Sequence, residues 1–362
     1  MKDIINHPFL TELLRAASPS GYEKEATDVF RRFCEENRMQ YEFTDSIGNC
    51  AFSVGNPIGI PFMVSGHIDE IALQVQNIDD DGFVHFIKDG GVDPKTLAGR
   101  NVVICTRNDK SYSVNGVIGK APIHIEFHTD DKDKVTKIQK LKIDVGASNK
   151  QEAIDMGIEV GQPIIFDKMI RELGIHRISA CGIDDKIGVY VTAMVLRKLQ
   201  EMHKENPLKH LKVYGVACTQ EEVGGYGAHI AAKRINPKYS IDYDVTFATD
   251  DGNVEKNEWG DIKLGGGGCI AYGPDKNIEM CNVMRKVCEY DHIPYQPFSV
   301  GAGMTNTCKI KMAADDCKTL LLSVPQRNMH TPVEVCDFRD IDSLVLMTVK
   351  FIYETDKLIS LT

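Results

Sequence analysis

Long apolar runs are absent from this sequence. No stretch approaches the roughly 18 consecutive apolar residues of a membrane-spanning helix. The N-terminal stretch MKDIINHPFLTELLRAASPSG also lacks the uninterrupted apolar core and small-residue cleavage site of a secretory signal. We therefore expect a cytoplasmic protein without a membrane partner.

An excess of positive charge is also missing. The chain has 42 Lys and Arg residues against 52 Asp and Glu residues, which gives a net charge of −10 at pH 7. No block rich in Lys or Arg interrupts this balance, and recognition of nucleic acid or anionic lipid depends on such blocks. Nucleic acid is therefore not expected as a partner.

Paired cysteines are missing as well. The 11 cysteines are scattered singly without a CxxC motif, and an odd number cannot form a closed disulfide framework. We expect buried or neutral free thiols. Any bound metal must then be held by histidine and carboxylate side chains.

Three linear catalytic motifs do not occur. The absence of HExxH excludes that form of zinc protease, and the absence of GxSxG argues against a serine hydrolase. The run LGGGGC lacks the Lys-Ser/Thr ending of a phosphate-binding loop. Its glycines, Gly265 to Gly268, are expected to form a flexible turn that either lines a cleft or is purely structural.

The order of predicted elements indicates two domains, as the length of 362 residues allows. Residues 1–72 and 165–362 alternate amphipathic helices with apolar strands, the pattern of a layered α/β sheet. Residues 73–164 contain short β runs punctuated by Gly, Pro and Asn, which is typical of a small all-β domain. The charged segment HTDDKDKVTKIQK is expected to form a solvated loop there. The prediction is one α/β domain with an inserted β domain.

Polar side chains follow five apolar segments of the α/β part, where ligands bind in such sheets. The charged groups are all histidine or carboxylate, without Lys or Arg. The five sets are His67, Asp69 and Glu70; Asp184 and Asp185; Glu221 and Glu222; Asp250 and Asp251; and His330.

Each set alone has a structural explanation. An Asp before an apolar helix can cap it, adjacent Asp residues can form an Asx turn, Glu221 and Glu222 can lead into a helix, and a lone His is usually hydrogen-bonded. Together, however, the sets predict an acidic pocket that a cation must neutralise. A pair of divalent ions would do so.

Imidazole and carboxylate donors suit Zn²⁺, Co²⁺ or Mn²⁺. A further carboxylate can bridge two such ions about 3.5–4 Å apart, an arrangement that activates water and polarises a carbonyl. A catalytic centre of this kind also needs a base that is not a ligand. The Glu221–Glu222 pair offers one carboxylate for metal and one for the attacking water.

Several spaced motifs, in order, resemble one family nearly end to end. They are SPSGYE, GHIDE, DPKTLAGRNVVI, NGVIGKAPIH, DVGASNKQEAIDMGIEVGQPIIF, CGIDDKIG, TQEEVGGYGA and RNMHTPVEV. The sequence is similar to the cytosolic dinuclear metallo-aminopeptidases that build tetrahedral particles, a family that includes glutamyl and deblocking aminopeptidases and proteins labelled endoglucanase. The resemblance implies a zinc-peptidase-like catalytic domain and a metal-dependent aminopeptidase activity on peptides.

The resemblance also implies roles for individual residues. It makes His67 and Asp250 ligands of one metal, Glu222 and His330 ligands of the other, and Asp184 the bridging carboxylate. Two further roles concern the reaction: Glu221 would be the general base, and Asp69 would orient His67. Asp185 remains free to cap the following helix.

The same family resemblance concerns assembly. It implies that the inserted domain, residues 73–164, mediates dimerisation and that dimers can form a dodecamer. The chain departs from the family at GMTNTC, where relatives commonly have Gly-Thr-Asp-Ala, so that Asn306 replaces an acid near the substrate cleft. The segment DGNVEKNEWGDI also differs from relatives. These departures concern substrate preference more than chemistry.

Other functions remain open at this point. An amidase or deacylase of acylated amino acids could use the same metals. A glycosidase would need Glu221 and Glu222 as a facing acid and base, although adjacent residues in an extended stretch point to opposite sides. A non-catalytic scaffold with this fold is the remaining alternative.

Overall fold

An eight-stranded mixed sheet forms the centre of the larger part of the protein. The structure is a computed structural model that describes residues 7–106, 113–122, 124, 135–301 and 305–359. The four central strands of the sheet run parallel and are largely buried, which explains their nearly continuous apolar sequences. In spatial order the strands are β1 (Gln40–Thr44), β2 (Cys50–Gly55), β12 (Leu211–Cys218), β3 (Ile60–His67), β13 (Tyr239–Phe247), β16 (Lys318–Gln326), β14 (Gly268–Tyr272) and β15 (Tyr295–Ser299).

Helices cover both faces of this sheet. One face packs against α1 (Pro8–Arg15), α2 (Lys24–Glu36), α4 (Ile183–His203), α7 (Ile278–Tyr290) and α9 (Phe338–Ile359). The opposite face packs against α5 (Tyr226–Ile235) and α8 (Asn306–Ala313), and the short helix α6 (Lys256–Trp259) follows β13. The predicted layered α/β sheet is confirmed.

A closed six-stranded barrel is inserted between β3 and α4. In order around the barrel, its strands are β4 (Ala72–Ile78), β5 (Val84–Asp89), β8 (Ile143–Asp144), β7 (Ser113–Ile118), β6 (Asn101–Cys105) and β9 (Pro163–Phe166). The barrel has its own apolar core, against which helix α3 (Lys150–Asp155) packs Ala153. Most of the charged segment expected as a solvated loop, and most of the predicted β run PIHIEF, lie outside the described residues.

A small third sheet joins two loops of the α/β part. It consists of β10 (Arg171–Leu173), β11 (Arg177–Ala180) and β17 (Glu334–Asp337). Strand β11 leads into Asp184, and β17 follows His330 by a few residues. Because Ala180 pairs with Glu334 in this sheet, the two loops are held next to each other.

Buried charges connect the two chain crossings between the sheet and the barrel. Glu70, on the outgoing segment, forms ion pairs with Lys168 on the returning segment and with Lys186 of α4. The Lys186 Nζ atom lies 3.2 Å from Glu70 Oε1 and donates a hydrogen bond of 2.7 Å to the carbonyl oxygen of Ala16. Glu70 is therefore a structural residue rather than part of a candidate site.

Two further expectations concern the whole chain. All 11 cysteines are free, as their spacing predicts. Within the described ranges, no helix is both long enough and apolar enough to cross a membrane.

Candidate metal centre

Asp184 lies between two histidines at the carboxyl edge of the parallel strands. Its Oδ1 atom is 3.1 Å from Nε2 of His67, which ends β3. Its Oδ2 atom is 3.2 Å from Nε2 of His330, in the loop between β16 and β17. The two oxygens of one carboxylate therefore face two different imidazoles, the geometry required of a bridging ligand.

Two overlapping groups of ligand atoms result from this arrangement. One contains His67, Asp184 and Asp244, and the other contains Asp184, Glu222 and His330. Within each group, the ligand atoms all lie within 4.8 Å of one another. Five side chains, with Asp184 shared, thus offer two adjacent positions for a cation.

Asp250 is the predicted ligand that the structure does not bring to either group. Its carboxylate instead forms a bidentate ion pair with Arg327, whose Nε and Nη2 atoms lie 2.9 and 2.8 Å from its oxygens. Asp250 also accepts the backbone N–H of Leu264 at 3.2 Å. Asp244 joins His67 and Asp184 in the first group instead, and the assignment of Asp250 as a ligand stays a prediction.

The register of the sheet explains why Asp244 lies near His67. Asp242 of β13 pairs with Ser65 of β3, so that Asp244, two residues on, is level with His67 at the end of β3. Strand β13 continues beyond this level to Phe247 because β16 extends alongside it. Asp244 therefore lies inside β13, whereas Asp250 lies beyond the end of the strand. The detectable signal was SIDYDVTF, in which two Asp residues share one face of a buried strand, where Asp is normally depleted.

The histidine tautomers make the two positions suitable for cations. Nδ1 of His67 lies 3.1 Å from the carbonyl oxygen of Asp69, and Nδ1 of His330 lies 3.1 Å from that of Gly91. A carbonyl can only accept, so each Nδ1 carries a hydrogen and each Nε2 faces Asp184. Without a metal, a protonated Nε2 can donate to this carboxylate, and the pKa of both histidines is raised. A neutral ring would instead present the Nε2 lone pair, which suits a cation placed between the ring and the carboxylate.

The carboxylates show the same need for a cation. Burial, followed by the nearby charge of Asp184, raises the pKa of Glu222 and of Asp244 well above their usual values. Burial also works against ionisation of Asp184, but hydrogen bonds from His330 and His67 outweigh it and lower the pKa of this residue. A divalent ion would offset the burial of these charges, so the residues present fit a metal site.

Glu221 lies beside the first group without belonging to either group. Its Oε2 atom is 4.0 Å from His67 Nε2, and 17% of its side chain is exposed, against 6% for Glu222. Burial raises the pKa of Glu221 above its usual value. A partly accessible carboxylate of raised pKa, next to the metal positions, can accept and return a proton.

Asp69 contacts the backbone of Glu221 and Glu222 as well as the histidine that it is predicted to orient. Its carboxylate is 3.5 Å from His67 Nδ1, while its backbone carbonyl, at 3.1 Å, is the nearer partner. The carboxylate accepts the backbone N–H groups of Glu221 at 2.9 Å and Glu222 at 3.1 Å, and the hydroxyl of Ser20 at 2.7 Å. It therefore orients the Glu221–Glu222 turn in addition to its contact with His67.

Asp185 caps the helix, as expected. Its Oδ1 atom accepts the backbone N–H of Gly188 at 3.0 Å. Its Oδ2 atom also accepts the backbone N–H of His67 at 3.1 Å. The capping prediction is confirmed, and the same carboxylate attaches β3 to the start of α4.

Glu334 is a contributor that the sequence interpretation missed. It is buried, and its Oε2 atom accepts the backbone N–H of Ile183 at 2.8 Å and of Asp184 at 3.3 Å. Its Oε1 atom accepts the backbone N–H of His330 at 3.1 Å. Burial raises its pKa to about 8. The signal was present in the motif RNMHTPVEV, where Glu334 follows His330 by four residues.

Two other segments noted in the sequence provide no ligand atom to either group. The run Gly265–Gly268 is a structural turn, because Asp340 accepts the backbone N–H groups of Gly265 and Gly267 at 2.8 and 2.7 Å. Asn306 is buried with its Oδ1 3.4 Å from a Cβ built on Gly225, and neither of its side-chain polar atoms has a hydrogen-bond partner within the described ranges. Its neighbours Gly303 and Met304 lie outside those ranges.

Known proteins resemble this chain along nearly its whole length. The lysyl aminopeptidase of Pyrococcus furiosus is 29% identical over 361 residues, covering 97% of this chain and 98% of the relative. Aminopeptidase APDkam598 of Desulfurococcus kamchatkensis has a structure with a TM-score of 0.85 and 32% identity, covering 95% of this chain and 93% of its own.

A third relative is the TET1 peptidase of Pyrococcus horikoshii, whose structure gives a TM-score of 0.83 at 27% identity and covers 95% of this chain and 98% of its own. That protein can assemble into a tetrahedron or a large octahedral shell. The profile of the family described as M42 glutamyl aminopeptidase matches residues 48–347. With a match of this extent, and the same fold throughout, the chain belongs to the M42 family of aminopeptidases.

Proposed function

We propose that the protein is a metal-dependent aminopeptidase that hydrolyses the N-terminal residue from peptides with two divalent ions. The observation that supports this most directly is the position of Asp184, whose two carboxylate oxygens face His67 and His330 at 3.1 and 3.2 Å. One carboxylate that serves two ligand groups fits a dinuclear centre better than two independent sites.

The proposed ligands divide between the two positions. His67 and Asp244 would hold one ion, Glu222 and His330 the other, and Asp184 both. Zn²⁺, Co²⁺ and Mn²⁺ all accept such a set. When bound, two ions of this kind provide Lewis-acid activation of a carbonyl and of water.

Glu221 is the proposed general base. Its carboxylate is 4.0 Å from His67 Nε2 and is held by the contact of its backbone with Asp69, so it can take a proton from the attacking water and deliver it to the leaving amine. Its raised pKa suits a group that must carry the proton between these two steps.

The test is a panel of substrates with and without a chelator. Purified protein loaded with Zn²⁺, Co²⁺ or Mn²⁺ is given amino-acid amides and short peptides, each with a free or an acetylated N-terminus, and a β-glucan. We expect release of the first residue from free-amine substrates only, abolished by chelation and restored by metal. Preference for acetylated substrates would indicate a deacylase instead. Activity on the β-glucan that survives chelation would indicate a glycosidase, and no turnover would indicate a scaffold.

Assembly into a homo-oligomer is a further part of the proposal. It rests on the assemblies of the Pyrococcus horikoshii TET1 peptidase, which has the same fold at 27% identity. The barrel would mediate dimerisation, and dodecamers would form from these dimers. Analytical ultracentrifugation of the full chain separates monomer, dimer and dodecamer. A cytoplasmic location stays a prediction.

A further inference from the structure

A loop of the inserted barrel reaches the metal centre of the α/β part. It follows β5 and contains Gly90 and Gly91, and the next residue, Val92, is buried in the barrel core. A Cβ atom built on Gly90 would lie 3.3 Å from Glu222 Oε2. One built on Gly91 would lie 2.4 Å from His330 Nδ1 and 2.6 Å from its Cε1. The loop backbone therefore packs directly on two of the proposed ligands.

Gly91 also forms a hydrogen bond with one of them. Its carbonyl oxygen lies 3.1 Å from Nδ1 of His330 and can only accept, so the hydrogen belongs to Nδ1. This turns Nε2 of the ring toward Asp184 Oδ2 at 3.2 Å and Glu222 Oε1 at 3.6 Å. Such a contact fixes both the tautomer and the plane of a metal-binding imidazole.

The two histidines of the centre are supported in different ways. His67 ends a strand, is almost fully buried, and has the carbonyl of Asp69 in its own chain segment as the partner of Nδ1. His330 lies in a loop, with a φ of 60° and a side chain that is 33% exposed. Its ring therefore depends more on an external contact, and the barrel loop provides one.

We propose that Gly91 is a positioning residue for His330, so that the inserted barrel completes the Glu222–His330 metal position. A glycine is required because the imidazole occupies the space of a Cβ atom, and the carbonyl is required because it accepts the Nδ1 hydrogen. This inference rests on the proposed metal centre. It gives the barrel a part in metal binding within its own subunit, separate from any role between subunits.

The test compares Gly91→Ala with Gly119→Ala in the full-length protein. Both glycines belong to the barrel part and neither has the left-handed φ that would strain an alanine, but a Cβ on Gly119 meets nothing nearer than the carbonyl oxygen of Lys142 at 4.0 Å. Zn²⁺ affinity is measured for both positions by competition with a chromophoric chelator. We expect Gly91→Ala to lower the Zn²⁺ affinity of one of the two positions by about 10- to 100-fold, the effect of losing an outer-shell partner. The affinity of the other position should not change. Gly119→Ala should match the wild type.

The outcomes separate this inference from the proposed function. If wild-type protein binds no Zn²⁺, the proposed dinuclear centre fails. Suppose that the wild type binds two ions. If Gly91→Ala then binds both with wild-type affinity, or loses affinity equally at both positions, the positioning role is overturned while the proposed function stands.

The same substitution in His330→Ala protein controls for the possibility that Gly91→Ala simply fails to fold. In His330→Ala protein the imidazole is gone, so adding Gly91→Ala should change neither the affinity of the remaining ion nor the unfolding temperature. If Gly91→Ala alone is unfolded, recovery of folding in the His330→Ala background would support the contact. Failure of the double variant to fold would overturn it.

Discussion

The carboxylate of Asp69 accepts the backbone N–H of Glu221 at 2.9 Å. Its second oxygen accepts the N–H of Glu222 at 3.1 Å and the Ser20 hydroxyl at 2.7 Å. One buried carboxylate after β3 thereby positions both the proposed base and a proposed ligand after β12. The orientation of the proposed base therefore depends on a residue outside the proposed ligand set.

Replacing Asp69 with asparagine tests this dependence. The amide has one acceptor oxygen, so its NH₂ group must face a backbone N–H of the Glu221–Glu222 turn and displace it. Because misplacing a catalytic group by about 1 Å can cost about 10²-fold, we expect kcat for peptide hydrolysis to fall by about that factor. Ser20→Ala removes only one donor and should change kcat by less than about tenfold. Equal effects of the two variants would contradict the role given to Asp69.

The ligand assignment is tested by metal content. Asp244→Asn removes a donor from the group with His67 and Asp184 and should leave about one tightly bound ion per chain after dialysis, measured by atomic emission. Asp250→Asn loses its bidentate pair with Arg327 but should retain both ions. Retention of two ions by Asp244→Asn, with loss from Asp250→Asn, would instead support Asp250, the ligand predicted from the sequence.

Most of the fold could be predicted from the sequence. The α/β layering and the small β domain followed from hydrophobic periodicity, because buried parallel strands and amphipathic helices leave strong patterns. Strands β14 and β15 were not predicted, since the first begins in a glycine run and the second contains Pro297, both unfavourable to strands. Their pairing in the sheet overrides these local preferences.

The site was predictable only in part, for a geometric reason. The five strand-end clusters indicated His67, Asp184, Glu222 and His330 as neighbours, and the structure places these side chains together. The level at which Asp244 meets them depends on the register between β3 and β13, two strands far apart in the sequence, so the sequence showed an unusual pair of Asp residues but not their position relative to His67. The contact between Gly91 and His330 is likewise tertiary, since 239 residues separate the two along the chain.

The effect of a substitution on kcat and on metal content can distinguish the proposed general base, Glu221, from a metal ligand. Glu221→Gln keeps the shape of the side chain but cannot take a proton, so we expect both ions to be retained while kcat falls by about 10²- to 10⁴-fold. Glu222→Gln is the matched control one position along and should instead lose the ion shared with His330. Metal content and kcat are measured on the same preparations. Near-normal turnover of Glu221→Gln would show that Glu221 is not the general base.

Stability should depend on pH through Glu23, whose carboxylate contacts the backbone of Gln220, next to the Glu221–Glu222 turn. Its Oε1 atom accepts the backbone N–H groups of Gly21 at 2.7 Å and Gln220 at 3.2 Å. Burial raises the pKa of Glu23 from 4.5 to about 7, although the Gly21 N–H opposes the shift. Between these values the folded protein retains a proton that the unfolded chain has released. The free energy of unfolding must therefore fall as pH rises through this window, by at most about 1.4 kcal/mol per pH unit.

Glu23→Gln isolates this contribution. The amide oxygen can still accept both N–H groups but the side chain cannot ionise, so the variant should gain stability relative to the wild type as pH rises from about 5 to about 7. Urea unfolding at each pH gives the difference between the two proteins. A difference that stays constant across this range would show that Glu23 is ionised in the folded state.

The buried ion pairs of Glu70 predict an order of stabilities rather than a single value. Glu70 is the only carboxylate paired with Lys168 and Lys186 within the described ranges, and Glu70 and Lys186 are fully buried. Glu70→Gln leaves two lysines without their counter-charge, and losing one partner of a buried pair costs about 3–5 kcal/mol. Lys186→Met removes one of the two ion pairs of Glu70 and the hydrogen bond to Ala16 but leaves Glu70 paired with Lys168, so its cost should be smaller. Urea unfolding of the metal-free variants measures both, and a larger loss for Lys186→Met would show that the Ala16 contact, not the charge balance, stabilises the junction between sheet and barrel.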